Sequence, residues 1–216
     1  MSKKFSVTFI LFFVMNSIFG QGFRFGVLFD PTITWLRSDV NDVTRDGARL
    51  GFDLGMLADY YFAQNYAFAT GISLFNTGGT LQYAQGIDIR TKDEKVTIDP
   101  GGKVKYKLQY VKIPVAMKFK THMIGRFIYF ANLGFDPMVR VTARADVNGM
   151  DNITVNKEVK LFNMGWHFGA GTLYSLGQDV SLMFGLSFMS TFIDITTPAH
   201  DMITSNNLLF RIGVVF

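Results

Sequence analysis

Cysteine is absent from the chain and histidine occurs only three times. The first absence excludes disulfides, lipid attachment at a lipobox and thiolate metal sites. His122, His167 and His200 lie far apart in sequence, so no ligand spacing of zinc type exists. None of them has a serine or carboxylate partner that spacing would place on a shared outer-rim face, so no nucleophile–base pair is legible. His200 and Asp201 are adjacent, and neighbouring strand-like residues point apart. Phosphate-cradling glycine loops are missing too, since Phe168-Gly-Ala-Gly171 sits inside a strand pattern. Asp39, Asp42 and Asp46 could hold calcium weakly, but read as solvated loop carboxylates. The expectation is a protein without catalytic residues, metal or cofactor, and not an enzyme. Basic residues are scattered and the formal charge is only +4, which argues against nucleic acid.

Long apolar runs are also missing. After the first 20 residues no stretch approaches the roughly 20 apolar residues that a membrane helix needs. Yet hydrophobic residues make up 49% of the chain. High apolar content without long runs means that the apolar groups are spread by alternation. Lipid admits only helices and closed barrels as spanning backbones, and with helices excluded the barrel remains.

Both ends support this. Leu208, Phe210, Ile212, Val214 and the terminal Phe216 alternate with Leu209, Arg211, Gly213 and Val215, a strand with one bulky apolar face closed by a terminal aromatic. At the other end Lys3 and Lys4 precede the apolar stretch Phe5 to Ile18, a secretory signal peptide cut before Gln21. The expected organisation is a signal peptide over 1–20 and one barrel domain over 21–216, placed in the outer membrane.

Alternation predicts eight strands, about Gly22–Leu36, Ala48–Phe62, Asn65–Ala84, Val104–Lys120, Arg126–Arg144, Lys160–Tyr174, Val180–Ile195 and Asn206–Phe216. The fourth changes phase: Val104, Tyr106, Leu108 and Tyr110 are even, whereas Val111, Ile113, Val115, Met117 and Phe119 are odd. Either a bulge near Tyr110 reconciles the halves, or the first half stands above the membrane. Short turns at Phe62–Asn65, Thr121–Gly125 and Ser175–Gln178 alternate with long loops at Ser38–Gly47, Gln85–Lys103, Ala145–Val159 and Thr196–Ser205. The fold class is therefore all-β, an eight-stranded antiparallel up-and-down transmembrane β-barrel. A soluble calyx also alternates, but its outer face needs Lys and Glu, and the minor face here is rich in Gly, Ala and Ser.

With the bulky face on lipid, the lumen carries Arg24, Asp30, Asp53, Asp59, Lys112, Lys118, Asn132, Asp136, Arg140, Asn163, His167 and Arg211. Eight strands enclose only enough space for side chains. These residues are expected to form a polar plug of hydrogen-bonded ion pairs, leaving the extracellular loops to do the work as a structural or interaction protein. Arg90–Lys95 alternates charge, and Lys103, Lys105 and Lys107 form a basic edge, read as a solvated rim in preference to a contact with anionic lipopolysaccharide. The expected surroundings are outer-membrane lipid and a possible envelope protein partner.

Tyr110-Val-Lys-Ile-Pro-Val-Ala-Met-Lys118 resembles the Tyr-Leu-x-Ile-Pro-Leu-x-x-Lys signature of the PorT-like outer-membrane β-barrel family of Bacteroidota, at Tyr110, Ile113, Pro114 and Lys118. Gly165, Gly169 and Gly171 resemble that family's Gly-x-Gly strand. Lys112 departs from it, standing where glutamate is common, and Phe188–Ile195 lacks the usual tyrosine. The resemblance implies a monomeric barrel inserted by the outer-membrane assembly machinery and, as an alternative function, an accessory component of type IX protein secretion. It brings no catalytic residues.

Overall fold

Alternating side chains force the chain into long antiparallel strands, and the computed structural model describes residues 22–90, 95–147, 149–196 and 202–216. The expected signal peptide and the pair His200 and Asp201 lie outside these residues. In chain order the strands are β1 (Phe23–Ser38), β2 (Val43–Ala63), β3 (Tyr66–Tyr83), β4 (Ile87–Arg90), β5 (Lys95–Ile98), β6 (Lys103–Lys112), β7 (Val115–Lys120), β8 (Phe127–Val147), β9 (Met150–Thr154), β10 (Phe162–Gly177), β11 (Val180–Thr191) and β12 (Ile203–Val215).

β6 and β7 are two halves of one wall strand, interrupted at Ile113 and Pro114, because both pair with β3 on one side and β8 on the other. Counting them as one, neighbours pair around the wall, and β12 returns to β1 with Gly26 opposite Val215 and Ser38 opposite Ile203. The ring has eight strands, all antiparallel, and a closed ring has no free edge. β4 and β5 form a separate hairpin within the expected loop Gln85–Lys103, and β9 pairs with the top of β8 within the expected loop Ala145–Val159. Two of the long loops are thus structured, one as a hairpin of its own and one as an extension of the wall.

The tight turn between β10 and β11 is Gln178-Asp179, with φ of 51° and 66°. Two consecutive positive φ values give the turn whose twist matches a hairpin. The strand β1 carries Pro31, which has no N–H for the ladder. There the Asp30 carboxylate fills in on the β12 side, accepting from the Ile212 amide at 3.2 Å.

One expectation needs correction. β6 and β7 do not change phase: Val104, Tyr106, Leu108, Tyr110, Lys112, Ala116 and Lys118 are all buried. The bulge lies on the neighbouring strand, where the pairing steps from Gln109 opposite Thr142 to Tyr110 opposite Arg140, making Val141 the extra residue. Below it β8 buries Met138, Asp136 and Asn132; above it Ala143, Ala145 and Val147. What changes along β6 and β7 is the chemistry of the inner face, apolar above and charged below.

The same inversion runs around the barrel. In the lower part Phe29, Phe68, Leu133, Phe135, Phe168 and Leu186 are exposed on the outside. In the upper part Leu36, Phe75, Leu81, Tyr106, Leu108, Val155 and Ile203 form an apolar cluster inside, joined by Ile89 and Ile98 of the β4–β5 hairpin. A wall greasy outside is built for hydrocarbon, and one greasy inside is built for water. From Phe23 to Trp35 on β1 is about 40 Å of strand, which at a tilt near 45° gives roughly 28 Å of height, close to the apolar band of such barrels.

Candidate functional site

Four ion pairs point into the lumen in the lower, lipid-facing section, two of them reaching past β3 and two joining neighbouring strands. β6 sends Lys112 to Asp53 of β2. β7 sends Lys118 to Asp59 of β2 at 2.5 Å. Arg211 of β12 reaches Asp30 of β1 at 3.1 Å, and His167 Nδ1 of β10 meets Asp136 of β8 at 2.7 Å. The ammonium groups of Lys112 and Lys118 also stand over the Phe75 and Phe130 rings, each 4.8 Å from the centroid. Every one of these residues points inward by the strand period, so the sequence places them and the barrel's curvature brings them together.

Such pairs are needed because a lone charge in this enclosed interior costs several kcal/mol. Four carboxylates face three permanent cations, and the fourth partner is the imidazole of His167. Beside the pairs, Asp53, Ser73, Asn132 and Asp136 line a cavity of about 50 Å³. Asp53 Oδ1, Ser73 Oγ, Asn132 Oδ1 and Asp136 Oδ1 have no protein partner, and the space is polar and large enough for water.

The other expected lumen residues lie nearer the two ends. Asn163 is buried at the top of β10 and donates to the Ile193 carbonyl at 3.3 Å. Arg24 stands at the lower mouth, about a third exposed, and pairs with Asp179 of the β10–β11 turn at 3.0 Å. Arg140, at the bulge, donates to the carbonyls of Asn156 and Val159. These two arginines fasten turns and loops; they do not enter the central layer.

Sequence reasoning missed the layer above the ion pairs. Thr77 Oγ1 lies 2.7 Å from both Ser205 Oγ and Asn207 Oδ1, and Thr34 donates to the Gly78 carbonyl at 2.7 Å. Thr34 and Asn207 share the inward parity of Asp30 and Arg211, and that was the available signal. The apolar cluster above them was signalled only through the second reading of the fourth strand, that its first half stands above the membrane.

Extracellular polar groups hold the upper wall. Asp146 meets Lys107 at 2.6 Å and accepts from the Asn152 amide at 2.8 Å. Partial burial raises its pKa, but the Lys107 hydrogen bond, the Asn152 amide and the Lys107 and Lys105 charges outweigh that and hold it below the usual carboxylate value. Asp42 accepts from Gln85, Asp39 from the Met202 amide, and Asp46 pairs with Lys103. Among the described residues no three acidic or histidine side chains form a metal-binding group.

A barrel of this shape is matched by known proteins. Residues 16–196 match the family described as "Outer membrane protein beta-barrel domain". Among solved structures, the outer membrane protein OprG from Pseudomonas aeruginosa has a TM-score of 0.51 at 10% identity, covering 90% of this chain and 94% of that one. Neisserial surface protein A has a TM-score of 0.49 at 14% identity, covering 88% and 95%. No curated protein sequence matches the chain. The likeness to OprG is one of fold.

Proposed function

Because the chain belongs to the outer membrane protein beta-barrel domain family and resides in the outer membrane, we propose that it is a barrel with a closed lumen that works through its extracellular surface, as a structural or interaction protein. The observation that carries this reading is the set of four inward-facing ion pairs that occupies the lumen. The cavity beside them, at about 50 Å³, is of a size for a few waters and far below that of an aqueous channel. Over the layer lies the apolar cluster roofed by Ile89 and Ile98, and desolvation opposes the passage of an ion through it. The polar surface left for recognition is the upper wall and the loops above it.

We read the protein as non-enzymatic. His167 is buried against Asp136 in mid-barrel, and His122 stands in the short turn after β7. The narrower assignment to the PorT-like barrels of Bacteroidota rests on Tyr110, Ile113, Pro114 and Lys118. In this structure Ile113 faces lipid, Pro114 sits at the break between β6 and β7, and Lys118 holds Asp59. That resemblance favours one second reading, an accessory role in type IX secretion. Normal secretion after deletion of the gene eliminates it.

The closed lumen is tested by conductance. Purified protein in planar bilayers is expected to give no sustained single-channel current. A steady unitary conductance overturns the reading.

A further inference from the structure

Above the lipid belt the outer face of β6 and β8 turns from apolar to cationic. On β6 and its continuation the outward residues climb from Ile113 and Val111 through Gln109 to Lys107, Lys105 and Lys103. On β8 they climb from Val139 and Val141 through Thr142 to Arg144 and Asp146. From Val111 to Lys107 is about 13 Å of strand, or roughly 9 Å of height at a 45° tilt. The inner face at that level is apolar, with Val104, Tyr106, Leu108, Ala143 and Ala145, so hydrocarbon has already ended there. This is the height of the headgroups.

A pocket of about 230 Å³ opens on the outer wall at this level, lined by Arg49, Asn76, Lys107, Gln109, Thr142 and Arg144 among others. Arg49 leans in across β3, held by the Thr77 carbonyl at 3.1 Å. Lys107 is fixed by Asp146 at 2.6 Å and Asn152 at 3.0 Å. The Arg144 side chain has no hydrogen bond or ion pair with any described residue. Asp146 neutralises one of the three cations, and two remain aimed at the same space. Directly below lie the exposed side chains Ile113, Val139 and Val141.

We infer that this face binds a phosphorylated lipid of the outer leaflet, its phosphate held by Arg49, Lys107 and Arg144 and its acyl chains laid on Ile113, Val139 and Val141. Guanidinium and ammonium groups make strong charge-assisted hydrogen bonds to phosphate, and an arginine can engage it through two nitrogens. A soluble anion uses only the upper half of this arrangement; a lipid uses both halves, which is why the lipid is assigned. The site is independent of whether the lumen conducts.

The test uses the full chain in phosphatidylcholine nanodiscs carrying a small share of bis-phosphorylated lipid A, of its dephosphorylated form, or neither, with native mass spectrometry counting the lipid A retained. The phosphorylated form is expected to stay bound and the dephosphorylated form to wash out, a comparison that needs no variant. Lys107→Gln with Arg144→Gln is expected to weaken retention about a hundredfold, roughly tenfold for each of the two charged hydrogen bonds lost net of solvation. Equal retention of both lipids overturns the site, and so does undiminished binding by a variant that still runs as a folded barrel. If inorganic phosphate in the buffer displaces the phosphorylated lipid completely at millimolar concentration, the pocket takes free anions and the lipid assignment falls.

Discussion

Lys112 and Asp53 illustrate what each inward charge must do. Both side chains are almost wholly buried, so neither is tolerated alone. Lys112→Met leaves the Asp53 carboxylate unpaired beside Asp30, itself held by Arg211. Breaking a buried pair from one side costs about 3–5 kcal/mol, whereas replacing both partners by apolar groups of similar volume is often neutral or better. Lys112→Met is therefore expected to lower the unfolding free energy by roughly that amount, and Asp53→Leu with Lys112→Met to recover most of it. Urea titration of the protein in liposomes, followed by tryptophan fluorescence, measures both. If the double variant is as weak as the single one, the pair has a role that volume cannot replace, such as fixing the register of β6 against β2. The identity of these charges was legible in the sequence, because alternation alone puts Asp53, Lys112, Lys118 and Arg211 on the inner face. The partners of Lys112 and Lys118 were not, because those pairs depend on how β6 and β7 are staggered against β2, a strand they do not touch.

Among elements, β8 carries the least expected feature. Its inner face is even-numbered up to Met138 and odd-numbered from Ala143, and the extra residue Val141 makes the exchange. A bulge places two residues opposite one, so removing one of them restores a regular ladder without exchanging faces. Deleting Val141 should leave Met138, Arg140, Ala143 and Ala145 inward and Val139, Thr142 and Arg144 outward, with the connection after β9 absorbing the shift. Deleting Phe168 from β10 should instead put every residue on one side of the cut onto the wrong face, since a slip of one residue inverts a strand. The expected outcome is that the Val141 deletion still inserts and shows a folded, heat-modifiable band on an unboiled gel, while the Phe168 deletion does not. Failure of both deletions would mean that the bulge is itself required. The sequence signalled irregularity at this height through β6, where bulky residues change parity. It could not assign the bulge to β8, because Ala143 and Ala145 are too small to mark a face.

At the scale of the whole molecule the barrel is two environments stacked on one set of strands. Eight strands, their order and the outward direction of the aromatic residues in the belt followed from alternation and from the closing strand Leu208–Phe216. The inversion above the belt was open as one of two readings of the fourth strand and no more, because a period of two reports which residues share a face and says nothing of the solvent on either side. Burial decides that, and it changes sign near Gln109 on β6. The aromatic residues mark the lower limit of the hydrocarbon with the contacts Phe23–Tyr60, Tyr66–Phe119 and Phe127–Tyr174. They mark the upper limit where Phe188 stands between Trp35 and Trp166, with ring centroids 6.4 and 5.7 Å away. Arg45 lies over the Trp35 ring at 5.3 Å, a cation at the level where an amphipathic ring prefers to sit. Both tryptophans therefore belong to the outer interface, and none stands at mid-bilayer. In vesicles containing lipids brominated at different depths, bromines near the headgroup should quench the native fluorescence more than bromines near the chain ends, and Trp35→Phe should leave that order unchanged for Trp166. Stronger quenching from the chain ends would place the belt higher, immersing Lys107 and Arg144 in hydrocarbon. Cations with no apolar alternative do not persist there, so that result would remove the two-environment barrel together with the lipid site built on its upper wall.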